Sequence, residues 1–499
     1  MRIIGRMRSA VAAISIVTSA VASMVLAQVA LSTPPAGGRT DSASQTPPVV
    51  SPDDRTAGVD LWLTTMDRSA LFAQQKPPLA FGQADDQYPS IEVDASKTFQ
   101  TIDGFGYALT GGSALHLIRM NAASRAALIK ELFASDDLNI GVSYLRVSIG
   151  ASDLNERVFS YDDLPAGQTD AEMAKFSLDP DRADVIPVLK EIMAVNPAIK
   201  ILGSPWSAPP WMKTNNKVKG GRLKPEYYGV YAKYFVKYIE GMKAEGIRID
   251  AITVQNEPLN AGNTPSLQMS AEEQAVFIKN HLGPAFKAAG TGTKIVLYDH
   301  NCDVPEYALS ILKDPQASQY VDGSGFHLYR GRIEAMTTVH NAFPGKQLYF
   351  TEQMVTGSGT NMTRSIGSQI RRLVIGATRN WSRNVLLWNL AADPKNQPHT
   401  NDGGCTMCQG AITIDGNKVS RNAAYYVIAH ASKFVRPGSV RIATTSPATL
   451  PNVAFKTLGG KTVLIVVNAA ASAQKFSIRD GGKAVVATLS AGGAGTYVW

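Results

Sequence analysis

A (β/α)₈ barrel carrying a β-sandwich is the fold this sequence predicts, and three patterns predict it. Between residues 99 and 434, eight short apolar runs alternate with longer stretches whose apolar residues recur at three- and four-residue spacing, the mark of βα units. From residue 435 to 499 the chain changes to short alternating strands punctuated by glycine, such as "TVLIVVNAAA" and "KAVVATLSAGGAGTYVW", which read as a sandwich. Two further strands, in "VDLWLTTMDRSALFA" and "SIEVDA" within residues 59–98, precede the barrel and are expected to join that sandwich.

The barrel strands are predicted at 100–109, 142–150, 200–207, 250–257, 293–301, 321–329, 347–354 and 384–391. Between them "SRAALIKELFAS", "RADVIPVLKEIMAVN", "PEYYGVYAKYFVKYIEGMKAEG" and "AEEQAVFIKNHLGPAFKAAG" have helical spacing, and several open on Pro or Ser/Asp and close at Gly or Asn. An open sheet rarely holds eight such units so evenly spaced, which favours closure.

Residues 1–32 carry arginines, a long Ala/Val/Ile stretch and small residues at Ala20, Ala22 and Ala27, the pattern of a signal peptide. The expectation is a secreted or periplasmic protein, with an uncleaved membrane anchor as the competing reading. Residues 33–58, rich in Pro, Ser, Gly and Thr, read as a disordered tether. With 44% apolar and 18% charged residues, the remainder of the 499-residue chain is globular. Of the net charge of +8, Arg2, Arg6 and Arg8 supply three in the leader, and no basic run is interleaved with aromatics, so nucleic acid is not an expected partner. Cys405 and Cys408 in "CTMC" suit a short disulfide better than zinc, for which only His399 and Asp402 lie nearby; Cys302 is expected to be a free thiol.

In such a barrel the C-terminal strand ends form the open face. Those ends carry Arg146 and Asp153, Trp206 and Trp211, Asn256 and Glu257, Asp299 and His300, His327 and Tyr329, Glu352, and Trp388 and Asn389. Glu257 and Glu352, on strands four and seven, are expected to face each other across the mouth. Two carboxyl groups flanking a bond are what glycoside cleavage needs, and at roughly 5 Å they act by double displacement with retention. The aromatic tips suit the apolar face of a sugar ring. Each residue also has a plainer reading: a loop charge for either glutamate, loop packing for the tryptophans, a structural ion pair for Arg146 and a satisfied histidine for His327. Asp299, His300 and Asp303 in "YDHNCD" admit a metal reading, although hydrogen-bonding roles are commoner. The "GFG" at Gly104 lacks the spacing of a dinucleotide fingerprint.

The ordered set "DGFGYALTGGSA", "YLRVSIGASD", "LGSPWSAPPWMKTN", "VQNEP", "GFHLY", "YFTEQ", "LWNLAADP" and "GGCTMCQGAITID" resembles glycoside hydrolase family 30, which includes glucosylceramidases and β-1,6-glucanases. The resemblance runs from about residue 59 to the C-terminus. It implies a retaining β-glycosidase with no cofactor or metal, acting on a carbohydrate or glycolipid. By position, Glu257 corresponds to the general acid/base and Glu352 to the nucleophile. Asn256 corresponds to the 2-hydroxyl contact, and Arg146 to a charge that keeps the nucleophile ionised. Trp206, His327, Tyr329 and Trp388 correspond to the sugar-pocket lining. Glucosylceramidases of the family read Thr-Asp after "GFG"; Gly111 stands in place of that Asp, which implies room for a further sugar and favours an endo-acting β-1,6-glucanase. Xylan or β-xylosides, and a non-catalytic sugar-binding barrel, are the competing readings.

Overall fold

The computed structural model describes residues 58–83, 87–357 and 364–499; the predicted leader and, but for Gly58, the predicted tether lie outside them. Eight parallel strands, Gly104–Leu109, Tyr144–Ile149, Lys200–Pro205, Ala251–Thr253, Lys294–Cys302, Val321–Gly331, Gln347–Glu352 and Ser382–Leu387, close into a barrel in chain order. They are barrel strands one to eight below. Tyr144, Leu202, Ala251, Val296, Tyr349 and Leu386 pack together inside it, so the interior is a filled core.

Two expected elements differ. The run 100–109 is split: Gln100 and Thr101 end a long sandwich strand, Ser90–Thr101, and barrel strand one starts at Gly104. Gly104 has φ +146°, and a Cβ there would lie 2.6 Å from Ser143 Oγ, so only glycine lets the chain turn between the two sheets. Barrel strand four is regular only over Ala251–Thr253, although Val254, Asn256 and Glu257 still donate N–H groups to Val296, Pro205 and Asp299 of the flanking segments. Glu257 itself has φ +45°, which ends the strand; such strain in a non-glycine residue recurs at functional sites.

The helices follow the spacing. Ala122–Phe133, Val185–Val195 and Tyr228–Ala244 turn apolar faces to the barrel, the last with Tyr231, Tyr234, Phe235 and Tyr238 buried. Ala271–Ala289 opens on a Ser270/Glu273 capping box and widens to a π turn at Ile278–Leu282, where Pro284 has no N–H to offer the preceding turn.

The sandwich is one nine-stranded sheet in the order Lys483–Leu489, Gln474–Asp480, Ser90–Thr101, Val440–Thr444, Asn452–Lys456, Thr462–Val467, Ala494–Val498, Val59–Thr64, Ala73–Leu79. A bridge between Gly82 and Ala484 brings its two edges together. The N-terminal strands therefore do join it, Val59–Thr64 antiparallel to Ala494–Val498. Side-chain alternation divides Thr462–Val467 between two cores: Leu464 and Val466 face the sandwich interior, Val463, Ile465 and Val467 the barrel. Across this seam, the buried His430 shares hydrogen bonds with Thr64 and Thr496 at 2.8 Å each. Among the described residues no helix is long and apolar enough to cross a membrane.

Candidate active site

The mouth of the barrel holds a cleft of about 450 Å³ lined by Asp153, Trp206, Asn256, Glu257, Tyr329, Glu352 and Trp388, among others. Arg146 and His327 lie fully buried beneath it. All eight site residues expected from the sequence thus come together.

Arg146, from barrel strand two, is the hub. Its Nη1 donates to Glu352 Oε2 at 2.5 Å, its Nη2 to Asn256 Oδ1 at 2.7 Å and Asp299 Oδ2 at 2.8 Å, and its Nε to Ser204 Oγ at 3.1 Å. The guanidinium also lies 4.9 Å from the ring centre of Trp206, which stacks on Trp388 with centroids 5.4 Å apart. His327 reaches Glu257 Oε1 through Nδ1 at 3.1 Å and Asp299 Oδ1 through Nε2 at 3.0 Å. Tyr329 Oη donates to Glu352 Oε1 at 2.9 Å, and Asn260 Nδ2 to Glu257 Oε2 at 2.6 Å. One carboxylate oxygen of Glu257, one of Glu352 and a nitrogen of His327 all lie within 4.8 Å of one another.

Burial disfavours the His327 cation, but Glu352, Asp299 and Glu257 together raise its pKa to about 9, so it is an imidazolium at neutral pH, donating from both nitrogens. Burial pushes the Glu257 carboxyl up, but the hydrogen bond and charge of His327, with His300 and Asn260 adding to them, hold it at about 2. Glu352 is raised above the ordinary range by burial, against the pull of His327 and Arg146. Asp299 stays far below the carboxylate range: burial is outweighed by Arg146, His327 and Thr351.

The metal reading of "YDHNCD" is not supported. Both Asp299 oxygens are taken, by Arg146, Thr253, Ser204, Thr351 and His327. Glu257, His327 and Glu352 form a compact donor set, but the proton on His327 and the guanidinium on Glu352 oppose a cation there. Trp211 and Asn389, two other strand-end candidates, have structural partners: Trp211 donates to the Asp162 carbonyl, and Asn389 accepts from Thr110 and Ser113. Cys405 and Cys408 are disulfide-bonded, and Cys302 is a buried free thiol that burial pushes up to about 12.

The expectation drawn from Gly111 is corrected. Gly111 is buried and does not line the cleft; a Cβ there would lie 1.9 Å from Asn155 Nδ2, so the asparagine amide occupies the space and no room for a sugar results. Asp153, two residues earlier in the same loop, turns its carboxyl to the cleft. Burial, with the charges of Glu352 and Glu257, raises it to about 7 against the Cys405 N–H. Gly111→Ala is accordingly expected to destabilise the fold by about 1–3 kcal/mol, read by denaturant unfolding, with KM unchanged; a raised KM would put Gly111 in the site after all. Asn260, Thr253 and Thr351 were missed in the sequence. For Asn260 a signal existed, three residues past Glu257 across a tight turn, whereas the two threonines carry none.

A parallel barrel with two carboxyl groups this close at its mouth, in a polar cleft floored by indoles, defines a glycoside hydrolase. Residues 102–435 match the glycosyl hydrolase family 30 TIM-barrel domain and residues 438–497 the family 30 beta sandwich domain. The chain belongs to glycoside hydrolase family 30. It is 36% identical over 370 residues to an endo-1,6-beta-D-glucanase of Aspergillus fumigatus, covering 70% of this chain and 74% of that one. It is 27% identical to the mouse lysosomal acid glucosylceramidase, over 82% and 83% of the two chains. A solved endo-beta1,6-glucanase superposes with a TM-score of 0.83 at 35% identity, over 89% of this chain and 99% of that one.

Proposed function

We propose that this protein is an exported, retaining endo-β-1,6-glucanase whose nucleophile is Glu352 and whose acid/base is Glu257. The observation that carries the mechanism is the approach of the two glutamates to within 4.8 Å, the spacing at which a carboxylate attacks the anomeric carbon directly. Glu352 displaces the leaving oxygen while Glu257 gives it a proton. Water, deprotonated by Glu257, then releases the glycosyl-enzyme. Asn256, held by Arg146, faces the 2-hydroxyl, and Asp153 takes over the gripping of ring hydroxyls for which glucosylceramidases of the family have an Asp in place of Gly111. The indole N–H of Trp206 is buried, lines the cleft and has no partner among the described residues, leaving a donor for a sugar hydroxyl.

The β-1,6 linkage is supported by the relatives named above, and endo action by a cleft that continues past the glutamates to Leu259, Asn263 and Arg330. Export is supported by the pattern of residues 1–32 and by the disulfide, which persists in oxidising compartments. The test is hydrolysis of a β-1,6-glucan by the purified protein beside glucosylceramide, an aryl β-glucoside and xylan. Gluco-oligosaccharides as the first products, with the β-anomer released initially, are expected. Glucose from the lipid or aryl substrate alone makes it an exo-acting glucosylceramidase-type enzyme, and preference for xylan overturns the glucose assignment.

Double displacement needs one proton shared by the two glutamates. That state lies between the first step near pH 2 and the raised Glu352 step, while His327 keeps its own proton to about 9. The expected kcat/KM profile is therefore a bell: activity falls at low pH as both carboxyl groups become protonated, and at higher pH as the last shared proton leaves through the raised Glu352 step. A profile with a single limb would contradict the shared proton.

A further inference from the structure

The Cys405–Cys408 disulfide spans three residues. So short a ring removes little freedom from the unfolded chain, and its weight in overall stability is small. Its surroundings point elsewhere. Both cysteines line the catalytic cleft beside Asp153, Trp206 and Trp388, and Cys408 is buried with Ala108, Leu154 and the two indoles. Met354, two residues after Glu352, sets its Sδ 3.4 Å from Cys408 Sγ and 3.9 Å from Cys405 Sγ. The backbone N–H of Cys405 donates to Asp153 Oδ2 at 3.2 Å, and that of Thr400, from the same loop, to the Asp153 carbonyl at 2.8 Å. Among the described residues no side chain hydrogen-bonds the Asp153 carboxylate, so its aim depends on this loop.

We propose that the disulfide is a redox-sensitive positioning element, which presses the Cys405 N–H on Asp153 so that the carboxylate faces the bound glycosyl unit, and whose reduction weakens substrate binding. The inference rests on the hydrolase reading above, because it assigns Asp153 to sugar hydroxyls. Neither glutamate bonds to the loop: Glu257 is held by His327 and Asn260, Glu352 by Arg146 and Tyr329. Reduction therefore acts on binding and spares the chemistry. The step is thiol–disulfide exchange. A dithiol's thiolate attacks one sulfur, the S–S bond breaks, and a second exchange frees both cysteine thiols; the dithiol leaves as its own disulfide, having passed two electrons and two protons to the protein. Cys405 is only partly buried and adjoins the exposed Thr406 and Met407, which gives the reductant access.

The full-length oxidised protein is assayed on β-1,6-gluco-oligosaccharides before and after dithiothreitol, with the released thiols titrated. The Cys405→Ser/Cys408→Ser and Asp153→Asn variants are run alongside. Reduction is expected to raise KM roughly tenfold, the loss of one hydrogen bond, with kcat within about twofold and full recovery on reoxidation. The double serine variant should show the reduced enzyme's KM under both conditions. Asp153→Asn should have a raised KM that reduction raises no further. An unchanged KM once both thiols are free, an undiminished effect of reduction on Asp153→Asn, or a fall in kcat with a lowered unfolding temperature would each overturn the proposal. An oxidised wild-type protein inactive on every β-glucoside would instead overturn the hydrolase reading, and this inference with it.

Discussion

Glu352→Gln is expected to lower kcat by about 10⁴-fold or more while the folded structure persists. The amide keeps the shape of the carboxyl, with its oxygen in the place of Oε2 accepting from Arg146 and its NH2 in the place of Oε1 donating to the Tyr329 hydroxyl, but it cannot form the glycosyl ester. Glu257→Gln should behave differently. Its attacking carboxylate is intact, so a substrate with an activated phenolate leaving group, which needs no proton, is expected to show a burst of phenol followed by slow turnover. Burst kinetics on that substrate, with circular dichroism to confirm folding, separate the two roles. A burst with Glu352→Gln and none with Glu257→Gln would exchange them, and near-normal turnover by either variant would remove the pair from the mechanism.

The second large effect is expected at Arg146, which carries structure and chemistry together. It is fully buried and bonded to groups on barrel strands three, five and seven and to Asn256 beyond strand four. Arg146→Met leaves Asp299 and Glu352 without the guanidinium that bridges them, and breaking a buried ion cluster from one side costs about 3–5 kcal/mol. Denaturant unfolding reads this directly. The pH profile reads the chemistry: with the guanidinium gone, Glu352 moves further up and holds the shared proton to higher pH, so the alkaline limb of kcat/KM shifts to higher pH. Arg146→Lys keeps the charge but not the fork of donors, so its profile should move less than that of Arg146→Met, while its activity stays well below the parent's. A variant within about 1 kcal/mol of the parent, with an unmoved alkaline limb, would mean that Arg146 neither holds the barrel mouth nor tunes the nucleophile.

What the sequence by itself determined are properties written over short distances. Apolar periodicity marked the eight βα units, and rank along the chain put Glu257 and Glu352 on strands four and seven, because a strand's end and its order in a closed barrel follow from local pattern and connectivity. The joining of Val59–Thr64 to the sandwich was legible in the same way, as a strand set apart from the βα units of the barrel.

Other features only the tertiary structure decided, because they depend on groups that distant segments bring within a few ångströms. That His327 is an imidazolium follows from three carboxyl groups converging on one buried ring. That Thr253 and Thr351 serve the site follows from both reaching Asp299, and nothing about either threonine in its own strand announces it. Gly111 is the sharpest case. As a letter it signified missing bulk and an open subsite; in the fold, Asn155 fills that volume, and the carboxylate at the cleft belongs to Asp153 on the adjoining loop. A residue's size and charge are local, but the space beside it and the solvent around it are set by packing, and those two quantities decide what a site can bind.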